Sequence, residues 1–281
     1  MTAHSPSEIS YSAHAARWGL MFITALFVLL PFWITVLGGF KTQGELSANP
    51  LGLPKVWQTE AYTDILVSPK TWHMLGNSVL ITGFTVALVL ILASMLAFTF
   101  SHIKFAGRNY LYSYVILGMM FPGATAILPL FIKIRDLGLL DTYAGVILPQ
   151  VAFGLAMSVL LFRTFFEQLP KDLFEAALVD GCGYGRFFWR IVIPLSQPIL
   201  ATVGVFVLVQ SWNNYIFPLI MLNDQSVYPW PLGLMEFRGQ YGAEWNRILA
   251  YITITILPAV VFFLFAQKYI VAGLTGGAVK G

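Results

Sequence analysis

The chain has 281 residues, of which 58% are hydrophobic and only 10% are Asp, Glu, Lys or Arg, and its formal net charge is +3. Because soluble domains carry about 25% charged residues, this composition excludes a soluble globular protein. It predicts an all-α, multi-pass membrane protein, since the apolar stretches are continuous and lack the two-residue alternation of an outer-membrane barrel.

Six apolar stretches are each long enough to cross a hydrocarbon core about 30 Å thick, which takes roughly 20 helical residues. They are Trp18–Phe40, Ser78–Phe100, Tyr110–Ile132, Tyr143–Phe162, Ile199–Met221 and Ile248–Ala266. The resulting organisation is an N-terminal segment 1–17, a six-helix transmembrane domain 18–266 and a C-terminal tail 267–281. Pro122, Pro129 and Pro149 predict kinks in the third and fourth helices, because proline removes a backbone hydrogen bond.

The second loop, residues 102–109, indicates the orientation of the chain. It is short and its formal charges are Lys104 and Arg108, both basic. Short basic loops stay in the cytoplasm, so both termini are predicted to be cytoplasmic.

Of the three segments then expected on the outer side of the membrane, two carry further predictions. In the first, TEAYTDILVS predicts a short surface helix with Ala61, Ile65 and Leu66 on one face. The second, Asn223–Asn246, is rich in Pro, Gly and aromatic residues and is expected to be irregular and to contact a partner. An alternative is that its aromatic residues Tyr228 and Trp230 belong to an interfacial belt.

The longest cytoplasmic segment, residues 167–195, contains FEAALVDGCGYGRFFWRIVIP. Pro170 and Asp172 suit the first turn of a helix, and Gly181 suits a left-handed residue after its end. A helix over Lys171–Asp180 is therefore predicted, followed by a hinge at Gly183 and Gly185.

The second half of this segment is apolar and is expected to end at Pro194. Its residues Phe187, Phe188, Trp189 and Ile191 expose too much apolar surface to remain in water, so all four are expected to pack. The two short helices would form a rigid knob that passes force between the membrane helices and a cytoplasmic protein. A loop lying on the bilayer is the alternative, but Glu175 suits a basic group in a protein cleft better than anionic lipid.

The fifth predicted span contains the sequence VQSWNNYIFP. Polar side chains in lipid are costly unless they are hydrogen-bonded, and amides and aromatic rings suit the hydroxyls and apolar faces of a sugar. The candidate residues for a translocation pathway are Gln210, Trp212, Asn213, Asn214 and Tyr215. The alternative is that they join neighbouring helices.

Several functions are disfavoured by missing signals. The chain has no phosphate-binding lysine motif, so we expect no nucleotide site of its own. Its four histidines have no ligand spacing, so we expect no metal site. No cofactor and no enzymatic activity are expected in this chain. It has no basic run for nucleic acid, and the spans lack the ionisable residues of an ion-driven carrier. An ion-coupled carrier or channel acting alone, and a scaffold that only anchors an ATPase, remain as alternatives.

The cytoplasmic segment resembles the EAA loop of binding-protein-dependent ABC importer permeases. The matching residues are Glu175, Ala176, Ala177, Asp180, Gly181 and Pro194. Ile193 stands where leucine is frequent, and Cys182 where alanine is frequent. The tail QKYIVAGLTGGAVKG is similar to that of carbohydrate-uptake permeases related to the smaller membrane subunit of the maltose importer.

This resemblance implies a type I ABC importer permease in the cytoplasmic membrane of a bacterium or archaeon. The implied partners are a second permease, a solute-binding protein and two ATPase subunits, which would bind ATP and magnesium. Glu175 would dock in the ATPase cleft. Thr275, Gly276, Gly277 and Lys280 of the tail would also touch the ATPases.

Overall fold

The computed structural model describes residues 11–239 and 242–275, and this part of the chain is predominantly helical. Its α-helices in chain order are α1 (Tyr11–Gly38), α2 (Gln43–Ala48), α3 (Glu60–Val67), α4 (Pro69–His102), α5 (Arg108–Leu117), α6 (Gly123–Asp136), α7 (Tyr143–Phe166), α8 (Lys171–Val179), α9 (Tyr184–Phe187), α10 (Ile193–Leu195), α11 (Gln197–Trp212), α12 (Ile216–Met221) and α13 (Trp245–Thr275). Strands β1 (Arg238–Gly239) and β2 (Gly242–Ala243) form an antiparallel pair.

The chain divides into two compact units. The first comprises Met1–Val67 and Glu236–Ile254, and the second comprises Ser68–Met235 and Thr255–Gly281. The core that positions the functional residues lies in the second unit.

In the first unit, the predicted surface helix is present as α3. Ala61 and Ile65 are buried as expected, whereas Leu66 is 44% exposed, so the prediction for Leu66 was wrong. The reason lies in neighbouring Tyr62, whose hydroxyl donates to the Val36 carbonyl at 2.7 Å and fixes which side of the helix faces inward. Burial raises the pKa of the Tyr62 phenol, consistent with this inward position.

The core of the second unit is built on α4, α7 and α11. Helix α4 packs most extensively against α7, and α11 packs against both. A Cβ at Gly154 of α7 would lie 3.1 Å from the Val89 Cγ2 of α4, so glycine permits close approach of the two helices here. Small residues at helix crossings of this kind are typical of membrane bundles, where dispersion contacts replace the hydrophobic driving force.

Three described helices are long and apolar enough to cross a membrane: residues Ala16–Gly38 of α1, α4 and α7. The number becomes five if each of two bent helix pairs is one span. Helix α13 contains the sixth predicted stretch. The described residues therefore confirm a helical, multi-span architecture and leave six crossings as a prediction.

The third predicted span is not one kinked helix. Helix α5, extended by a 3₁₀ turn over Gly118–Met120, meets α6 at a bend of 105°. Phe121 is extended, with φ −83° and ψ 114°, because the following Pro122 disfavours the helical region for the residue before it. By contrast, Pro129 and Pro149 lie inside α6 and α7 without ending them.

The fifth predicted span is also interrupted. Helix α11 ends at Trp212, and α12 begins at Ile216. At its other end, α11 meets the preceding helical segment at a bend of 79°. The unwound residues Asn213, Asn214 and Tyr215 are the ones that the sequence singles out as pathway candidates.

Candidate functional site

The first functional region is the coupling segment, Lys171–Ser196. Its helix α8 ends in a Schellman motif, in which Gly181 has φ +71° and the Cys182 N–H donates to the Ala177 carbonyl at 2.8 Å. The predicted helix and the left-handed glycine are both confirmed. The stop is encoded locally, because a residue with a Cβ rarely adopts this φ.

The rest of the segment differs from the prediction. Gly183 is extended, with φ −69° and ψ 159°, but Gly185 lies inside α9, so only Gly183 belongs to the turn. Pro194 lies inside α10 and does not close the segment. The break comes at Ser196, whose Oγ donates to the Val192 carbonyl at 2.6 Å. Pro194 is near the end of a continuous helical run, Tyr184–Leu195, whose Phe188–Val192 turn is π-helical.

An aromatic cluster joins the coupling segment to α4. It is formed by Phe98 and His102 of α4 and by Phe174, Tyr184, Phe187 and Phe188 of the coupling segment. The Phe174 and Phe187 rings are 5.0 Å apart, and Phe98 of α4 lies 5.2 Å from Phe188. Phe187 and Phe188 are buried as expected, and Ile191 is half-buried. Trp189 is 54% exposed, so its predicted packing was wrong. It follows Phe188 in a π-helical turn and lies on the outer side of it.

The two sides of α8 differ in character. Ala177 is only 6% exposed and belongs to the same core as the buried phenylalanines, so a small residue suits this position. Glu175, Ala176 and Asp180 are exposed, and Val179 is 88% exposed. The exposed Glu175 carboxylate and the exposed Val179 side chain lie one turn apart on α8, whose opposite side packs in the core. This combination of charge and apolar surface suits binding in a protein cleft. The docking role of these residues stays a prediction.

The second functional region is a cavity of about 500 Å³ at the break between α11 and α12. Residues of α6 line one side of it, among them Gly123, Ala124 and Ile127. Of the pathway candidates, the structure brings Gln210, Asn213, Asn214 and Tyr215 to this cavity. The fifth candidate, Trp212, is 4% exposed and is not among the lining residues.

The two asparagines stabilise the unwound backbone. The Asn214 Oδ1 accepts from the Phe217 N–H at 3.1 Å and caps α12, and the Asn213 Nδ2 donates to the Val209 carbonyl at 2.9 Å. These bonds are local and do not join neighbouring helices of the bundle. The interhelical alternative holds instead for their neighbour Ser211, whose hydroxyl lies 2.5 Å from the Gln150 Oε1 of α7.

Gln150 was not predicted as a site residue, yet it lies at the centre of the second unit. It is 6% exposed, and Thr85 of α4 is 1% exposed. With Ser211 they line a smaller cavity of about 50 Å³, which also has Gln210, Asn214 and Phe217 in its wall and so adjoins the larger one. The available sequence signal was a single amide in an otherwise apolar span.

The beginning of the Asn223–Asn246 segment is pinned to the second unit by hydrogen bonds. Asp141, which has φ +57°, accepts from the backbone N–H groups of Asn223 and Asp224, the latter at 2.9 Å. These bonds, with that of Asn223 first, lower the pKa of the Asp141 carboxyl. The Asn77 Nδ2 donates to the carbonyls of Ser226 and Tyr228, both at 2.9 Å.

This segment is more regular than predicted. It contains 3₁₀ helices at Gln225–Val227 and Trp230–Phe237, the β1–β2 pair and the first residues of α13. Trp230 is 2% exposed, and its Nε1–H donates to the Thr255 Oγ1. A buried tryptophan does not form an interfacial belt, so that alternative fails for Trp230.

The tail residues lie almost entirely beyond the described range. Thr275 is the last residue of α13, and Gly276, Gly277 and Lys280 lie outside the described residues. Their contact with the ATPases stays a prediction. In the part of the chain that the structure describes, no group of three His, Cys, Asp or Glu residues could hold a metal ion.

A cavity at the break between two helices, together with a coupling segment that packs against α4, is the arrangement expected of a membrane permease. Residues 89–275 match the model of the family of binding-protein-dependent transport system inner membrane components. The chain belongs to this family, and it is therefore a multi-pass inner-membrane component of a transport system that depends on a binding protein.

The sequence similarity to two transport-system permeases extends over nearly the whole chain. It is 34% identical over 285 residues to the arabinooligosaccharides transport system permease protein AraQ of Bacillus subtilis, covering 100% of both chains. It is 33% identical over 263 residues to the trehalose/maltose transport system permease protein MalG of Thermococcus litoralis, covering 92% of this chain and 94% of MalG.

The fold is similar to that of a chain in a bacterial ABC transporter involved in the import of the acidic polysaccharide alginate. The TM-score is 0.81 at 24% sequence identity, and the match covers 95% of this chain and 99% of the other. This confirms the type I ABC importer permease fold.

Proposed function

We propose that the chain is one of two membrane subunits of an ATP-driven importer for a sugar or oligosaccharide. The family membership and the transport systems of AraQ and MalG support the solute class. The observation that supports the mechanism is the structure of the coupling segment. Helix α8 is followed by the left-handed Gly181 and packs on the aromatic cluster through Phe174, while Glu175 stays exposed.

In this proposal the six predicted spans all cross the membrane, with both termini in the cytoplasm. A second permease completes the pathway, and two ATPase subunits bind ATP and magnesium and grip α8 and the tail. The solute-binding protein would meet the segment that begins at Asn223. Closure of the ATPases would tilt α8, and the aromatic cluster would pass that movement to α4.

The scale of this coupling is reasonable. Changing a two-state equilibrium from 1:99 to 99:1 takes about 5.5 kcal/mol of differential binding. The aromatic pairs beneath α8 each stabilise their contact by about 0.5–1.5 kcal/mol beyond area burial. Several such pairs make the connection stiff enough for α8 and α4 to move together.

The direct test is uptake by the complete complex in proteoliposomes. Labelled arabinotriose, trehalose and maltose would be offered with the binding protein outside and ATP inside. ATP-dependent accumulation of at least one sugar is expected. Accumulation that follows a proton or sodium gradient without ATP would instead support an ion-coupled carrier, and absence of flux in a complete, ATP-hydrolysing complex would support a scaffold.

The orientation has its own test. A Lys171→Cys variant would be made in a Cys182→Ser background, so that it carries the one thiol of the chain. A membrane-impermeant maleimide should leave intact cells unlabelled and should label inverted vesicles. Labelling from outside intact cells would overturn the proposed docking.

A further inference from the structure

The smaller cavity beside the broken helix contains two buried polar atoms without a hydrogen-bond partner. They are the Gln150 Nε2 and the Thr85 Oγ1. Both residues are more than nine-tenths buried and line this cavity of about 50 Å³. Buried polar groups in native proteins are nearly always paired, so the two atoms call for an explanation.

Two other buried hydroxyls on the same two helices are satisfied by their own backbone. Ser94 of α4 donates to the Ile91 carbonyl at 3.1 Å, and Ser158 of α7 donates to the Gly154 carbonyl at 2.7 Å. A threonine in a helix commonly does the same. Thr85 differs from these two residues, because its Oγ1 has no hydrogen-bond partner among the described residues.

Gln150 is held in place so that its free end stays available. The Ser211 hydroxyl lies 2.5 Å from the Gln150 Oε1 and 3.4 Å from the Thr82 Oγ1. These contacts fix the amide and leave its Nε2, with two N–H donors, at the cavity. An amide held by one end is a prepared donor.

The chemistry and size of the cavity limit what it can hold. Thr85, Gln150 and Ser211 offer uncharged donors and acceptors, and the cavity wall contains no ionisable residue, which favours a neutral group over an ion. Its volume of about 50 Å³ is enough for water, which needs about 10–15 Å³ in this measure. It is about a tenth of the volume of the larger cavity, so it suits a single substituent of a solute.

We infer that Gln150 and Thr85 form a subsite for one hydroxyl or hydroxymethyl group of the solute as it passes through the larger cavity. This inference rests on the proposed function. Gln210, Asn214 and Phe217 line both cavities, so a sugar beside the break would place one substituent against Gln150. Water would occupy the subsite between transport cycles.

The test compares Thr85→Val, which keeps the shape and removes the hydroxyl, with Thr85→Ser, which retains it. The matched control is Thr99→Val on the same helix, where the hydroxyl donates to the Met95 carbonyl at 2.9 Å. The Tm of the purified complex without solute would be measured for each, together with the initial rate of ATP-dependent uptake of arabinotriose, trehalose and maltose at low concentration.

A solute subsite predicts that Thr85→Val lowers uptake about 2- to 10-fold, the effect of one lost hydrogen bond, and that Thr85→Ser and Thr99→Val leave it near wild type. The solute-free Tm of Thr85→Val should stay close to that of Thr99→Val, because the hydroxyl that it removes would bond water and no protein group. Gln150→Met should likewise lower uptake, although it also breaks the bond to Ser211.

Two results would overturn the subsite. Normal uptake by Thr85→Val would show that the cavity holds water only, and a fall of its solute-free Tm below that of Thr99→Val would show a structural role. If wild type accumulates none of the three sugars, the proposed function fails, and the solute-free Tm still decides whether Thr85 is a structural residue.

Discussion

The coupling segment and the central cavities both interrupt apolar helices with polar residues, but they do so in opposite ways. In the coupling segment the polar side chains face outward and the inner contacts are aromatic, so the segment is stable with its acid exposed. At the central cavities the polar side chains face inward, from α4, α7 and α11. The first arrangement suits a surface gripped by another protein, and the second suits a path for a hydroxylated solute.

The largest expected effect tests the outward-facing region. Glu175→Lys should reduce ATP-dependent uptake by about 100-fold or more, because a like charge placed against a basic cleft costs several kcal/mol. The membrane subunits should still assemble, since Glu175 is exposed. Uptake and sugar-stimulated ATP hydrolysis would both be measured.

The control for this charge reversal is Glu60→Lys, at the exposed start of α3 on the predicted outer surface. It should transport normally. Unaltered stimulation of ATP hydrolysis in Glu175→Lys would contradict docking through this carboxylate.

The next effect concerns the aromatic contacts that hold the coupling segment. Phe187→Ala should destabilise it by about 3–5 kcal/mol, the usual cost of truncating a buried phenylalanine, because Phe187 is 2% exposed. Amide hydrogen exchange over residues 171–192 would report the loss. Trp189→Ala, at a side chain that is 54% exposed, should change the same exchange by less than about 1 kcal/mol. Equal effects would mean that Trp189 packs after all.

A smaller effect is expected at the turn after α8. Gly181→Val should cost about 1–2 kcal/mol, because a β-branched residue resists φ +71°. Gly183→Val is the matched control, since Gly183 has φ −69° and neither position has an atom within 4 Å of an added Cβ. Transport and exchange rates would be compared in the pair. Equal behaviour of the two variants would show that the left-handed stop does not matter.

The smallest effect is expected at Asp141, which accepts hydrogen bonds from the start of the Asn223–Asn246 segment. Backbone N–H groups of Asn223 and Asp224 lower the pKa of Asp141, so their contribution to stability is complete above the ordinary carboxyl pKa of 3.8 and is lost as the pH falls through the lower folded value. Wild type should have a higher Tm than Asp141→Asn at pH 6, and the difference should begin to shrink once the pH falls below 3.8. A difference that stays constant as the pH is lowered through the acid range would rule out the charge as its source.

Features that depend on residues adjacent in the chain could be predicted from the amino-acid sequence. Composition defined a membrane protein, and Pro170, Asp172 and Gly181 defined the start and the stop of α8, because capping and left-handed turns are decided within a few residues. The polar run around Asn213 was found for the same reason, since an amide is conspicuous in an apolar stretch. The predicted pathway residues Gln210, Asn213, Asn214 and Tyr215 do line one cavity.

The exposure of individual side chains, and the contacts between residues far apart in the chain, could be read only from the three-dimensional structure. Trp189 was expected to pack but is exposed, and Trp212 was expected to line the pathway but is buried. A break at Phe121 turns the third predicted span into a bent pair, and the unwound residues between Trp212 and Ile216 interrupt the fifth. Thr85, Gln150 and Ser211 are separated by 61 residues or more along the chain, yet they line one cavity. Local patterns carry no information on such meetings, because they depend on how α4, α7 and α11 pack.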